Sequence, residues 1–135
     1  MQNDENIFAK LQELNCKIKI DVVEETWTTL KETFPCTSEE DLKDLSQRLK
    51  RGDLWAFCTV LVSVISPNGF EGIQTLGCCS YKNMQDFIEN SGYYEDMVKE
   101  AFENLCTNLR IRMEEADRML RDTEREYRLL DGSFY

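Results

Sequence analysis

The side chains of this 135-residue chain that could do chemistry are six cysteines, at 16, 36, 58, 78, 79 and 106, and a surplus of carboxylates; histidine is absent. Without histidine there is no Ser/Cys-His hydrolytic triad and no imidazole acid–base pair. No Walker loop, GxGxxG, HExxH or calcium-loop pattern occurs either. The cysteines make no CxxC pair and are spaced too irregularly for a closed tetrahedral zinc site, so neither a metal nor a cofactor is expected. Cys78 and Cys79 are adjacent, but neighbouring strand residues point to opposite faces and do not serve one site. Cys58 and Cys79 would meet across a hairpin, and in a reducing compartment two packed thiols are the expected state. Cys58 and Cys106 read as small buried hydrophobes. Asp53, Glu71 and Asp86 border the same hairpin, yet isolated acids beside turns usually serve as caps or solvated charges. The chain is therefore expected not to be an enzyme.

The carboxylates point elsewhere. Net charge is −10, and residues 1–103 hold 19 acids against 10 bases, whereas the remainder holds six arginines and seven acids. Such a body opposes direct nucleic-acid binding, because affinity for phosphates comes mainly from clustered Lys and Arg. A protein with a basic surface is the expected partner. Two acidic rows stand out: Glu39, Glu40 and Asp41 with Asp44, and Glu95, Asp96, Glu100 and Glu103. Rows of this kind are most often solvated helix faces; the functional reading is that they imitate phosphate spacing and occupy a basic groove. The longest apolar run, from residue 54 to 65, is too short to span a bilayer and is broken by Thr59 and Ser63, so no membrane partner is expected. The acidic start, Met1-Gln2-Asn3-Asp4-Glu5, is unlike an export signal, which predicts a cytoplasmic location.

These residues must be positioned by one α+β domain. Length and an apolar content of 41% suit a single core over residues 1–135, with a globular body to about residue 105 and a projecting or dimerising helix over about 106–130. Asn3 or Asp4 is expected to cap a first amphipathic helix bearing Ile7, Phe8, Leu11 and Leu14. From Cys16 the alternation Lys17-Ile18-Lys19-Ile20-Asp21-Val22 predicts a half-buried strand. Residues 23–34 mix helix and strand formers, and a short helix is the expectation there. Pro35 ends it. Thr37-Ser38-Glu39-Glu40-Asp41 then opens a helix with Leu42, Leu45 and Leu49 inward, closed by Lys50, Arg51 and Gly52.

The fold is expected to be a small antiparallel sheet built on a central β-hairpin, flanked by helices. Residues 53–65 are rich in aromatic and β-branched types, Ser66-Pro67-Asn68-Gly69 supplies a turn, and residues 70–81 make the second strand. With Asn68 and Gly69 as a two-residue turn, Val64 faces Ile73, Val62 faces Thr75, Leu61 faces Leu76 and Cys58 faces Cys79; a longer loop around Pro67 would shift that register. The first hairpin strand is apolar on both faces, which predicts a central place in the sheet, with the Ile18 strand able to pair beside it. Gly72 and Gly77 could mark a bulge or a close backbone approach. Ser80 or Asn83 caps a short helix ended by Ser91-Gly92.

From Tyr94 onward neither proline nor glycine interrupts the chain until Gly132. Val98, Ala101, Phe102, Leu105, Leu109, Met113, Ala116 and Leu120 recur at steps of three and four, predicting one helix to about residue 128. At 1.5 Å per residue it is on the order of 50 Å long, more than a domain of this size needs. Val98, Phe102, Leu105, Leu109, Met113, Ala116 and Leu120 are thus candidates for self-association into a homodimer or larger assembly. Arg118, Arg121, Arg125 and Arg128 alternate with Asp117, Asp122, Glu124 and Glu126, a mixture suited to salt bridges beside a helical seam.

Five segments, Arg51-Gly52-Asp53-Leu54-Trp55-Ala56-Phe57, Gly69-Phe70-Glu71-Gly72, Leu76-Gly77-Cys78-Cys79-Ser80-Tyr81, Asp86-Phe87 and Gly92-Tyr93-Tyr94-Glu95-Asp96-Met97, together resemble a group of small uncharacterised proteins of tailed phages and prophages. The resemblance covers residues 51–105. It implies a phage-like origin, and with it an inhibitor of a basic, nucleic-acid-handling host protein such as a defence target, in the manner of anti-CRISPR proteins. The alternative from the sequence is a structural or assembly protein that self-associates through its long helix. The same segments also have packing explanations: Trp55 and Phe57 can fill a core, and Tyr93-Tyr94 can staple the start of the long helix.

Overall fold

Side-chain caps start the first four α-helices, and backbone bonds at left-handed residues stop the first and the third. A computed structural model describes residues 6–26 and 28–131. Asn6 caps α1 (Ile7–Glu13), its Oδ1 accepting the Phe8 N–H at 2.8 Å. The expected caps Asn3 and Asp4 lie outside the described residues. Asn15 at φ 58° then stops the helix. The Cys16 N–H reaches the Leu11 carbonyl and the Asn15 N–H the Gln12 carbonyl, the paired bonds of a Schellman motif. The same motif closes α3 (Glu39–Lys50), where Gly52 is left-handed, Asp53 N–H bonds the Arg48 carbonyl and Gly52 N–H the Leu49 carbonyl. Ser38 caps its start, as the hydroxyl-and-acid pattern predicts.

Three antiparallel strands form one sheet in the order β1 (Lys17–Glu24), β2 (Cys58–Ile65), β3 (Glu71–Cys79). The hairpin strand β2 is central, as its two-sided apolar pattern predicts, and the Ile18 strand is its other neighbour. β1 runs two residues past the expected end, since Val23 and Glu24 continue to pair with Thr59 and Cys58. The short helix expected over residues 23–34 is confined to α2 (Leu30–Thr33), capped by Thr29; Trp27 lies outside the described residues. Residues 54–56 form a single 3-10 turn and not strand. Arg48 fixes them, because its guanidinium ion-pairs Asp53 at 2.8 Å and donates to the Tyr81 carbonyl at 2.7 Å.

The two-residue turn is corrected. Pro67, Asn68 and Gly69 form a three-residue loop between Ser66 and Phe70, and only Gly69 among them has positive φ, at 88°. The register accordingly slips by one: Val64 faces Gly72, Val62 faces Gln74, Leu61 faces Thr75 and Val60 faces Leu76. A bulge then restores the expected pairing of Cys58 with Cys79. No Cβ neighbour lies within 4 Å of Gly69, so a side chain there meets only backbone strain. Gly69→Val is expected to cost about 1 to 3 kcal/mol from that strain, read as a lower urea midpoint at constant slope. A midpoint equal to that of the wild type would mean the loop tolerates another conformation.

One face of the sheet makes the core. Val60, Val62 and Val64 with Ile18, Ile20, Val22 and Leu76 pack under the first half of α5 (Tyr94–Asp131), which contributes Met97, Val98, Ala101 and Leu105. α1 adds Leu11, and α4 (Met84–Asn90), capped by Asn83, adds Phe87. Trp55, Tyr81, Phe87, Tyr94 and Phe8 form a chain of ring contacts 5.3 to 6.5 Å apart along the base of the core. The outer edge of β3 is blunted by α5, whose Asn104 and Asn108 amides donate to the Ile73 and Glu71 carbonyls at 2.8 and 3.0 Å. Among the described residues, no helix is long and apolar enough to cross a membrane.

Candidate functional site

Thiol chemistry can be judged from the environment of each cysteine. Cys58 and Cys79 are buried free thiols on paired strand positions, and Cys78 is exposed at the bulge beside them. Burial, with mutual repulsion between the thiolates second, pushes Cys58 up to about 12. Burial likewise raises Cys79 to about 11. Both stay protonated at neutral pH and are poor nucleophiles. Cys106, expected to be buried, is half-exposed on the flank of α5. Among the described residues, no group of three or more Cys, Asp and Glu side chains is placed to hold a metal ion.

The carboxylates that border the hairpin do not converge. Asp53 is held by Arg48. Asp86 accepts the Lys82 N–H at 2.9 Å and the Asn90 amide at 2.9 Å, and these bonds, the backbone one first, hold it below the ordinary carboxylate range. Glu71 sits at the opposite end of β3. A fourth carboxylate escaped sequence reasoning. Glu25 is buried, and its Oε2 accepts the Cys78 N–H at 2.8 Å and the Thr59 hydroxyl at 3.1 Å. Cys78 is held there at φ 56°, a left-handed conformation costly for a residue with a side chain, so Glu25 pins the bulge. A single acid after an alternating strand carries no signal of this role, because its partners lie 34 and 53 residues away.

The acidic rows are placed where the sequence puts them. Glu39, Glu40 and Asp41 are exposed in the first turn of α3, and Asp44 is exposed one turn on. The first three also have a local reason to be there, since acids favour the positive end of the helix dipole. Glu95, Asp96, Glu100 and Glu103 are exposed along α5. Lys99 pairs with Glu95 at 3.2 Å, and the Gln74 amide donates to Glu100. Glu100 and Glu103 lie beyond the first turn, so the dipole does not account for them. The two rows belong to elements with different neighbours: α3 packs on the 3-10 turn, α5 on β2 and β3.

The proposed self-association stripe divides. Val98 and Leu105 are buried under the chain's own sheet, and Phe102 and Leu109 are half-buried against the same core, so intramolecular packing uses them. Met113, Ala116 and Leu120 are exposed. From residue 110 to 130 every residue is exposed apart from the half-exposed Glu124, a projection of roughly 30 Å. Ion pairs Arg121–Asp117, Arg125–Asp122, Arg128–Glu124 and Arg112–Glu115, at 2.6 to 3.8 Å, support the helix along this exposed stretch.

The five segments singled out in the sequence supply this framework: Asp53 and Trp55 below the core, Gly72 under α5, the bulge at Gly77-Cys78, and Phe87, Tyr94 and Met97 in the core. Compared with known protein families, curated proteins and solved structures, the chain matches none.

Proposed function

We propose that this protein works without catalysis, by docking the acidic side of its body on a basic surface of another protein. The observation that carries the reading is the exposed row Glu95, Asp96, Glu100 and Glu103 on a helix whose opposite side is fixed to the sheet. A rigid mount presents the charges without an ordering cost, and charge complementarity governs encounter rate and partner choice. The exposed acids of α3, Glu39, Glu40, Asp41 and Asp44, extend the same negative field. The resemblance to phage-encoded proteins makes a nucleic-acid-handling host protein the expected class of target.

Capture of host proteins on the immobilised chain, at low and at high salt, tests this. Partners that bind at low salt and are lost at high salt are expected. Changing Glu95, Asp96, Glu100 and Glu103 together to Lys should weaken them by a factor on the order of 100, the scale of electrostatic steering. The stability cost should stay within about 2 kcal/mol, mostly from the two positions in the first helical turn. Capture that survives the four changes at low salt would remove this face as the site.

A second reading, self-association through the projecting half of α5, is favoured by its exposed apolar residues, among them Met113, Leu120 and Leu130.

A further inference from the structure

From Leu109 onward, one mostly apolar row of α5 keeps a stricter spacing than the first half, with Ile111, Met119 and Leu129 outside it. Leu109, Met113, Ala116, Leu120, Thr123, Tyr127 and Leu130 alternate steps of four and three without a break. That is a repeat of 3.5 residues, the period of a two-stranded seam and not of a helix lying on a sheet. Two residues that face solvent without a partner mark its length: Met113 is 75% exposed and Leu130 85%. The hairpin tip meets the helix elsewhere, at a groove of about 500 Å³ between Phe70 and Glu71 on one side and Asn108, Ile111, Arg112 and Glu115 on the other. Leu109 opens the seam half-buried against the core, and Met113, Ala116 and Leu120 after it are exposed.

We propose that the seam pairs with a second copy of this chain, antiparallel, about a two-fold axis at residue 118. The proposal rests on the self-association reading and adds its direction and register. Side-chain size selects them first. In this arrangement each small seam residue meets a large one: Ala116 meets the partner's Leu120, Thr123 the partner's Met113, and Leu109 the partner's Tyr127. In a parallel pair in register, Ala116 and Thr123 would each face their own copy and leave voids, while Tyr127 would face Tyr127. Packing at interior density requires the first pattern.

Charge selects the same arrangement. Arg110 lies beside the partner's Glu124 and Arg112 beside the partner's Glu126, which by symmetry makes four attractive contacts. Met119 meets the partner's Met119. Asp117 faces the partner's Asp117 at the axis, a repulsion eased by Arg121, which already holds Asp117 at 2.6 Å. The two bodies then stand at opposite ends of the paired helices, with their acidic faces outward.

Light scattering and sedimentation on the full chain test this, using two variants confined to helix positions outside the core. One carries Arg110→Glu with Arg112→Glu, the other Glu124→Arg with Glu126→Arg. The wild type should have the mass of two chains. Each variant alone should dissociate on the order of 100-fold more readily, since four attractive contacts become repulsive. An equal mixture should regain the wild-type affinity, because every charge contact is restored between unlike chains. A parallel pair would set Arg112 beside the partner's Asp117, which the mixture does not repair. A wild-type dimer whose variants stay no tighter when mixed would overturn the antiparallel register and leave self-association standing. A wild-type mass of one chain at every concentration would overturn both, and a mass of three or more chains would overturn the two-stranded seam and leave self-association standing. Far-UV circular dichroism on each variant verifies that the body and helix remain folded.

Discussion

Gly72→Ala is expected to destabilise the protein by about 3 kcal/mol or more, a large share of the roughly 5 to 15 kcal/mol available to a domain. Gly72 is where β3 comes closest to α5. A Cβ placed there overlaps the Ala101 carbonyl oxygen and the Leu105 amide nitrogen and stands 2.8 Å from Leu105 Cα. All three are backbone atoms of a regular helix, so no rotamer change relieves the overlap. Either α5 moves away from the sheet or β3 bends. Both open the layer between Val64 on the strand and Val98 and Leu105 on the helix, which are fully or almost fully buried. Urea unfolding followed by tryptophan fluorescence should show the loss as a lower midpoint. Trimming Ala101 to glycine in the same chain should not restore it, because the obstacle is main chain. A Gly72→Ala protein with the wild-type midpoint would mean that the helix and strand are not in contact there.

Phe87→Ala is expected to cost about 3 to 5 kcal/mol, the range for deleting a fully buried aromatic side chain. Phe87 is 0% exposed and touches three other rings, Tyr81 at 5.3 Å, Trp55 at 6.0 Å and Tyr94 at 6.1 Å. With Phe87 itself in α4, the three come from three other parts of the chain: the 3-10 turn, the end of the hairpin and the start of α5. Removing the ring leaves a cavity that they cannot all close together, since Arg48 anchors the Tyr81 carbonyl and α5 is fixed at Gly72. Phe87→Leu should recover part of the loss and Phe87→Ala none. An alanine variant less than about 1 kcal/mol below the wild type would show that the ring chain is not part of the cooperative core.

The acidic composition and the long C-terminal helix were legible in sequence, and so were most element types. Ser38 and Asn83 cap the helices expected of them, and Gly52 and Gly92 end helices with the positive φ that their positions imply. The alternation over Lys17 to Val22 and the two-sided apolar run of β2 read directly as an outer strand and a central one. Residues 53–57 did not read correctly. Their two aromatic residues and their place before a β-branched run suit a strand, yet the ion pair of Arg48 with Asp53 turns them into a 3-10 step that delivers Trp55 to Phe87.

What the sequence determined by itself is whatever neighbouring residues decide among themselves: caps, stops, periodicity, the surplus of carboxylates, and the absence of histidine chemistry. Tertiary structure decided the rest. The alternation of β3 would put Ile73 inside opposite Val64, but the three-residue loop puts Gly72 there and leaves Ile73 39% exposed, because only a residue without a side chain admits α5 to that spot. Glu25 became a buried pin through partners far along the chain. The single apolar stripe of α5 became two, since a helix turns every 3.6 residues while the apolar pattern changes from sheet-facing to a 3.5 repeat where the sheet ends. A strand pattern gives the spacing of its faces and not its register, and a helix pattern gives a stripe and not what covers it.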